Sequence, residues 1–215
     1  MINFIKRILS SLIIIPIVFF FIFSEKNLFV VFIITCLIIA IYEWQKLKFS
    51  NFMKYFGYMF LLFSFYSVYE LRYLNNDENL VNFLIIIIAC ISTDIGGYTF
   101  GKIFKGPKLT KISPNKTISG VCGGFLFPII IVYFGLIYFD LTNKFTLFFC
   151  FYIIFISFVS QIGDLIISYF KRLSNVKDTG KLLPGHGGLL DRIDGMIFVF
   201  PVIYTLDFFR WTNEI

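Results

Sequence analysis

The chain is expected to fold as an all-α, polytopic integral membrane protein with about seven transmembrane helices, within a range of 6–8. Three observations lead there. Of its 215 residues, 58% are hydrophobic and 15% charged, whereas a soluble domain carries about 45–50% and roughly 25%. The apolar residues come in runs approaching the ~20 residues that cross a bilayer. Of the 19 Lys and Arg residues, all but Lys26, Arg72, Lys144 and Arg210 fall in alternate connections that share one side of such an arrangement.

The first run, Ile8–Phe23, comes after Lys6 and Arg7 like the apolar core of a signal peptide. No small-residue cleavage site comes after it and further runs do, so it reads as a retained first span. The others are Leu28–Tyr42, Phe56–Tyr69, Leu80–Thr93, Ile118–Phe139, Phe145–Phe170 and Met196–Phe209. The second, third, fourth and seventh are short and must borrow from their flanks, which sets the range of the count. The positive-inside rule then makes the N-terminus cytoplasmic. It also brings the two long polar connections, 94–117 and 171–195, to the cytoplasmic face. We divide the chain into N-terminal helices, 1–93, and a chemistry-bearing region, 94–215, within one membrane domain. The net charge of +6 belongs to the membrane face and its anionic ligands, and not to a nucleic-acid platform. Cys36, Cys90, Cys122 and Cys150 sit singly in apolar runs without a C-x-x-C pair, and read as small apolar fillers.

In the sixth run Gln161, Asp164, Ser168 and Lys171 recur at spacings of three and four, on one helical face, with Arg172 beside them. A polar stripe on an apolar helix faces protein or a watery cavity. Ser and Gln could simply hydrogen-bond a neighbouring helix, but an intramembrane Asp needs a stronger reason. Downstream, GHGGLLDRID places Asp191 and Asp194 three apart, so a helix begun near Leu189 aims both carboxylates one way. With Asp164 they would suit a hard cation such as Mg2+, which takes one or two carboxylates plus substrate phosphates. The spacing alone fits a salt-bridged helix start with Arg192 equally well. Pro184, Gly185, Gly187 and Gly188 form a turn whose N–H groups could approach a phosphate. Lys171, Arg172, Lys177 and Lys181 would suit a polyphosphate, as well as an ordinary cytoplasmic loop. His186 alone is a weak signal.

In the other connection, Asp94 ends the fourth span, and Gly96, Gly97, Gly101 and Gly106 are expected to loosen the chain beyond it. Ser113-Pro114 reads as a helix start. Lys116 and Thr117 then fall in its first turn, where free N–H groups and the helix dipole attract phosphate. Gly120, Gly123 and Gly124 permit close helix packing.

These residues resemble the signature of the phosphatidate cytidylyltransferase, or CDP-diglyceride synthase, family. Its pattern is Ser, two residues, Lys-Arg, then Lys-Asp, Pro-x-His-Gly-Gly and Asp-Arg-x-Asp. Here it stands without a gap as Ser168, Lys171, Arg172, Lys177, Asp178, Pro184, His186, Gly187, Gly188, Asp191, Arg192 and Asp194. Asp94 with GGYTFGK, and Ser113–Thr117, resemble the family's second motif region, so the resemblance covers about 94–200. Ser119 stands where the family usually has Glu, and the chain is shorter than many members.

The resemblance implies an enzyme of phospholipid biosynthesis that joins phosphatidate and CTP into CDP-diacylglycerol and pyrophosphate. It implies a multi-pass protein of the inner (plasma) membrane, a homodimer, and an Mg2+-dependent polar cavity open to the cytoplasm, with a second cation as an option. On that footing Asp164, Asp191 and Asp194 are the expected metal ligands, and Lys171, Arg172, Asp178 and His186 the catalytic set. Asp94, Ser113, Lys116, Thr117, Ser168, Lys177, Gly187, Gly188 and Arg192 are the expected substrate contacts. The paired-Asp motif of the CDP-alcohol phosphatidyltransferases is not found. Two alternatives are a CTP-dependent membrane lipid kinase and a cation-coupled transporter with Asp94 and Asp164 as midplane ion ligands. A transporter should show two related halves with broken helices, whereas the polar residues here crowd toward one end. The charge asymmetry predicts that a reporter fused after Ile215 reads as non-cytoplasmic; a cytoplasmic readout would remove the odd number of spans.

Overall fold

The computed structural model describes residues 2–73, 76–110, 113, 116–142, 145–182, 185 and 187–213, with side chains over 12–73, 80–110, 113, 116–142, 145–182, 185 and 187–207. Among the described residues there are eight helices and no named strand: α1 (Ile2–Phe23), α2 (Lys26–Gln45), α3 (Asn51–Tyr73), α4 (Asn76–Phe104), α5 (Ile118–Tyr138), α6 (Leu147–Leu173), α7 (Leu190–Ile193) and α8 (Met196–Asn213). Seven have 18 residues or more and correspond to the seven apolar runs. Four stretches are long and apolar enough to cross a bilayer, Lys26–Gln45, Leu80–Phe104, Ile118–Tyr138 and Leu147–Leu173, with shorter apolar stretches at Leu12–Phe23 and Met196–Asp207. Phe, Ile and Leu side chains on α1, α3, α5 and α6 are widely exposed, as expected where the solvent is lipid. The chain is an all-α, multi-pass membrane protein.

Two expectations are corrected. The fourth span does not end at Asp94: α4 runs on to Phe104. The glycines at 96, 97 and 101 do not loosen this stretch but let α5 approach it, because a helix can keep glycines where a neighbour's backbone replaces the missing side chain. A Cβ on Gly96 would lie 2.5 Å from the Gly123 carbonyl oxygen, and one on Gly120 would lie 2.7 Å from that of Gly97. The second correction concerns the start of α5, which is capped by Thr117 rather than by Ser113; the Thr117 hydroxyl accepts from Gly120 N at 3.1 Å. Ser113 instead closes a local turn, accepting at its carbonyl from Lys116 N at 3.1 Å. Pro114 lies outside the described residues.

Between α4 and α5 the chain turns at Lys105 (φ 52°) and Gly106 (φ 113°). It then doubles back through an antiparallel bridge between Lys108 and Thr117, with Leu109 N donating to Lys116 O at 2.8 Å. Ser119, where an acidic residue was expected by resemblance, joins Lys105 O and Thr117 Oγ1 and thereby secures this turn.

The apolar core has two parts. One is centred on Phe29, Phe83, Ile86, Ile153, Ile156, Val199 and Ile203, and joins α2, α4, α6 and α8. The other, around Ala40, Trp44, Leu61, Phe65, Ile167, Leu190 and Ile197, joins α2, α3, α6, α7 and α8. At one end Trp44, Phe49 and Phe170 form an aromatic cluster with centroids 5.0–5.4 Å apart. There Lys48 N donates to Ser174 Oγ at 3.1 Å, so the ends of α2 and α6 are tied together.

Overpacking a close backbone contact costs about 1–3 kcal/mol. Gly120→Val should therefore lower the thermal midpoint in detergent measurably. Gly135→Ala, at a position whose added Cβ would meet nothing within 4 Å, should leave it unchanged. Equal midpoints for the two variants would remove the α4–α5 glycine contact as a determinant of stability.

Candidate active site

The inner side of α4, the first turn of α5, the middle of α6 and the α7–α8 turn enclose a polar cavity of about 380 Å³. Its walls carry Asp94, Ser113, Lys116, Thr117, Gln161, Asp164, Asp191, Arg192 and Asp194. Residues singled out from the sequence thus meet in one place, although they come from well-separated segments of the chain. The glycine contact between α4 and α5 brings Asp94 and the amino end of α5 to the same wall.

On α6 the expected stripe divides. Asp164 and Gln161 face the cavity. Ser168, one turn on, donates to Asp164 Oδ1 at 3.2 Å, and Asp164 Oδ2 lies 2.5 Å from Lys116 Nζ. Lys116 therefore bridges the α5 approach to α6 through an ion pair whose side chains are 27% and 24% exposed. Asp194, buried in the turn between α7 and α8, accepts from Gly195 N at 2.9 Å and meets the Asp164 carboxyl. Burial pushes the Asp194 carboxyl well above the usual range; Asp164 and Asp94 push it further, and Lys171 opposes them.

Asp191 behaves differently from Asp194, despite the shared spacing. Its Oδ1 accepts from Lys171 Nζ at 2.9 Å. Its Oδ2 accepts from Thr179 N (2.8 Å) and Gly188 N (2.9 Å) and, at 3.1 Å, shares the single Thr179 Oγ1 proton with Glu43. Both oxygens are engaged in holding the 177–191 loop and Lys171. The expectation that Asp164, Asp191 and Asp194 point at one cation is therefore not met by the geometry: among the described residues no three His, Cys, Asp or Glu groups are close enough to share a metal. Mg2+ needs only one or two carboxylates when waters and substrate phosphates complete its shell. The adjoining carboxyls of Asp164 and Asp194, with Asp94 nearby, fit that requirement, and Asp191 does not.

The remaining expected residues that are described do not line the cavity. Arg172, exposed, donates to Val176 O at 3.3 Å. Lys177 and Asp178 are exposed on the loop. Gly187 adopts φ +90°, a conformation that favours glycine, and Gly188 donates to Asp191. His186 and Pro184 lie outside the described residues.

Two contributors escaped the sequence reading. Thr179 links Asp191 to Glu43. Glu43, almost fully buried near the end of α2, accepts from Leu189 N at 2.9 Å and Leu190 N at 2.8 Å. A lone Glu at the end of an apolar run was the available signal, and such a residue ordinarily marks a span meeting water.

Residues 57–209 match the cytidylyltransferase family. The chain is also similar to proteins named phosphatidate cytidylyltransferase. With that of Staphylococcus aureus (strain COL) it is 42% identical over 135 residues, 62% of this chain and 52% of the relative. With that of Staphylococcus saprophyticus it is 40% identical over 135 residues, covering 62% and 52%. With that of Staphylococcus epidermidis it is 40% identical over 153 residues, covering 71% and 55%. The chain spans about half the length of the curated relatives it matches. With more than half of its residues inside the family match, this chain belongs to the cytidylyltransferase family.

Proposed function

We propose that the chain is a phosphatidate cytidylyltransferase, transferring the cytidylyl group of CTP to phosphatidate and releasing pyrophosphate. The observation that carries this reading is the cavity itself: an anion-seeking helix start and a lysine oppose a cluster of intramembrane carboxylates. The first turn of α5 contributes Thr117, Gly120 and Val121 to the wall, so the positive end of the helix dipole borders the cavity, where a phosphate is favoured. Lys116 stands beside it. Lys171, fixed by Asp191, offers a second ammonium, and Arg172, Lys177 and Asp178 are exposed on the segment that follows it.

The lipid phosphate would arrive from the bilayer and the nucleotide from the cytoplasm. A phosphatidate oxygen attacks the α-phosphorus of CTP in line; the bond from that phosphorus to the bridging β-oxygen breaks, and pyrophosphate leaves with the electron pair. The chain's work is alignment and charge neutralisation, because such transfers need little covalent help. Mg2+ would be held by Asp164 and Asp194 with support from Asp94, and when bound would supply neutralisation of the triphosphate. The cytoplasmic orientation of the cavity and its place in the inner membrane are supported by the basic residues concentrated in alternate connections. A homodimer is part of the same proposal and rests on the family resemblance.

CTP labelled at the α- or the γ-phosphorus, offered with phosphatidate, tests the activity. α-Label in the lipid fraction identifies the transferase. γ-Label in lipid identifies a kinase, and neither label in lipid excludes both. For the cation, Asp194→Asn keeps shape and one acceptor oxygen but removes the charge a hard ion requires. Turnover per folded molecule should fall by at least about a hundredfold and the Mg2+ midpoint should rise. Near-normal turnover with an unchanged midpoint would remove Asp194 from the ligand set.

A further inference from the structure

We propose that Glu43 is a positioning residue for the cavity: from α2 it sets the 177–191 loop, and through Asp191 the place of Lys171. This rests on the reading of the cavity as the cytidylyl-transfer site. Glu43 lies outside the stretch 57–209 that matches the family, in an otherwise apolar helix.

The geometry is specific. α7 has four residues, and its N-cap position, Leu189, has no side chain able to cap it. Glu43 supplies the missing acceptor from another helix: Oε1 takes Leu189 N, and Oε2 takes Leu190 N and Thr179 Oγ1 at 3.1 Å. The fit leaves no room for anything larger than glycine in the loop facing it. A Cβ on Gly180 would come 2.5 Å from Glu43 Oε1, and one on Gly188 would come 2.5 Å from Oε2. Thr179 then relays to Asp191, and Asp191 to Lys171. The backbone at Glu43 is anchored by its neighbour Trp44, which packs on Phe170 of α6 and on Phe49.

A buried carboxylate that receives three donors has a role that its isosteric amide cannot fill. In Glu43→Gln the amide NH2 would face the N–H of Leu189 or the N–H of Leu190: donor against donor, with a buried group left unpaired. The loop should therefore shift although the helices remain.

The test uses the full chain in lipid, with hydrogen exchange and turnover measured on the folded fraction. Glu43→Gln should speed exchange over 177–193 while leaving α4 and α5 unchanged, a readout that requires no assumption about the reaction. Turnover should fall by roughly ten- to a hundredfold, the range for groups that orient a site from behind. Because the two residues act in series, adding Asp191→Asn should cost little beyond the larger single effect; additive losses would mean independent roles. Thr179→Val breaks the same link from the loop side and carries the test if Glu43→Gln does not fold, and Thr179→Ser should restore activity. Unchanged exchange over 177–193, or unchanged turnover in a folded variant beside an active parent, overturns the inference. Accelerated exchange with a parent that transfers no cytidylyl group overturns the proposed reaction instead, and leaves the positioning intact.

Discussion

The carboxylate of Asp191 is the interaction on which the polar end of the molecule depends. The 177–191 loop exposes Lys177, Asp178, Lys181 and Leu182 and gains little from apolar burial. Its position is set instead by donors converging on one anion: an ammonium from α6, a hydroxyl and an amide from Thr179, and an amide from Gly188. Hydrogen bonds to a charged group contribute about 1.5–3 kcal/mol each, and a buried carboxylate left without them is costly. The loop therefore stays where Asp191 is satisfied, and α7 stays with it, because Gly188 and Thr179 can reach that carboxylate only if the helix begins at Leu190.

The opposite wall depends on backbone proximity rather than charge. Glycines at 96, 97, 101, 120 and 123 let α4 and α5 approach closely enough for carbonyl oxygens to occupy the space of side chains. In lipid, where apolar surface gives no preference for a neighbouring helix over the bilayer, such close contact is a main source of helix pairing. The same contact brings the start of α5 beside Asp94. Packing and chemistry are thus set by the same residues, and a bulky substitution among them would disturb both.

Much of this was legible in the sequence, and the features that were missed have physical reasons. The apolar runs gave the seven long helices because a bilayer imposes their length. The three-and-four spacing on α6 correctly marked a polar face, because helical periodicity is local. Spacing could not tell that Asp191 turns toward its own loop while Asp194 turns toward Asp164, since three-residue separation fixes direction only within a continuing helix and α7 ends at Ile193. The extension of α4 to Phe104 was missed because glycine lowers helix propensity in isolation, and only the partner helix makes it favourable. Glu43 was invisible because its three donors lie more than 130 residues away.

The electrostatics of the cavity finally constrain the ligands it can accept. Asp94, Asp164, Asp191 and Asp194 line it against Lys116 and Arg192, and with Lys171 behind Asp191 carboxylates and cations nearly balance. On the proposed function, a cavity so balanced would gain little from a nucleotide triphosphate and a lipid phosphate as bare anions. A divalent cation, if held by Asp164 and Asp194 as proposed, would supply the missing positive charge. Lys116 is the ammonium paired with Asp164. On the proposed function, a cation neutralising Asp164 would leave Lys116 available to a substrate phosphate. The near balance of carboxylates and cations would then tie metal and phosphate together, since burying either charge without the other is costly.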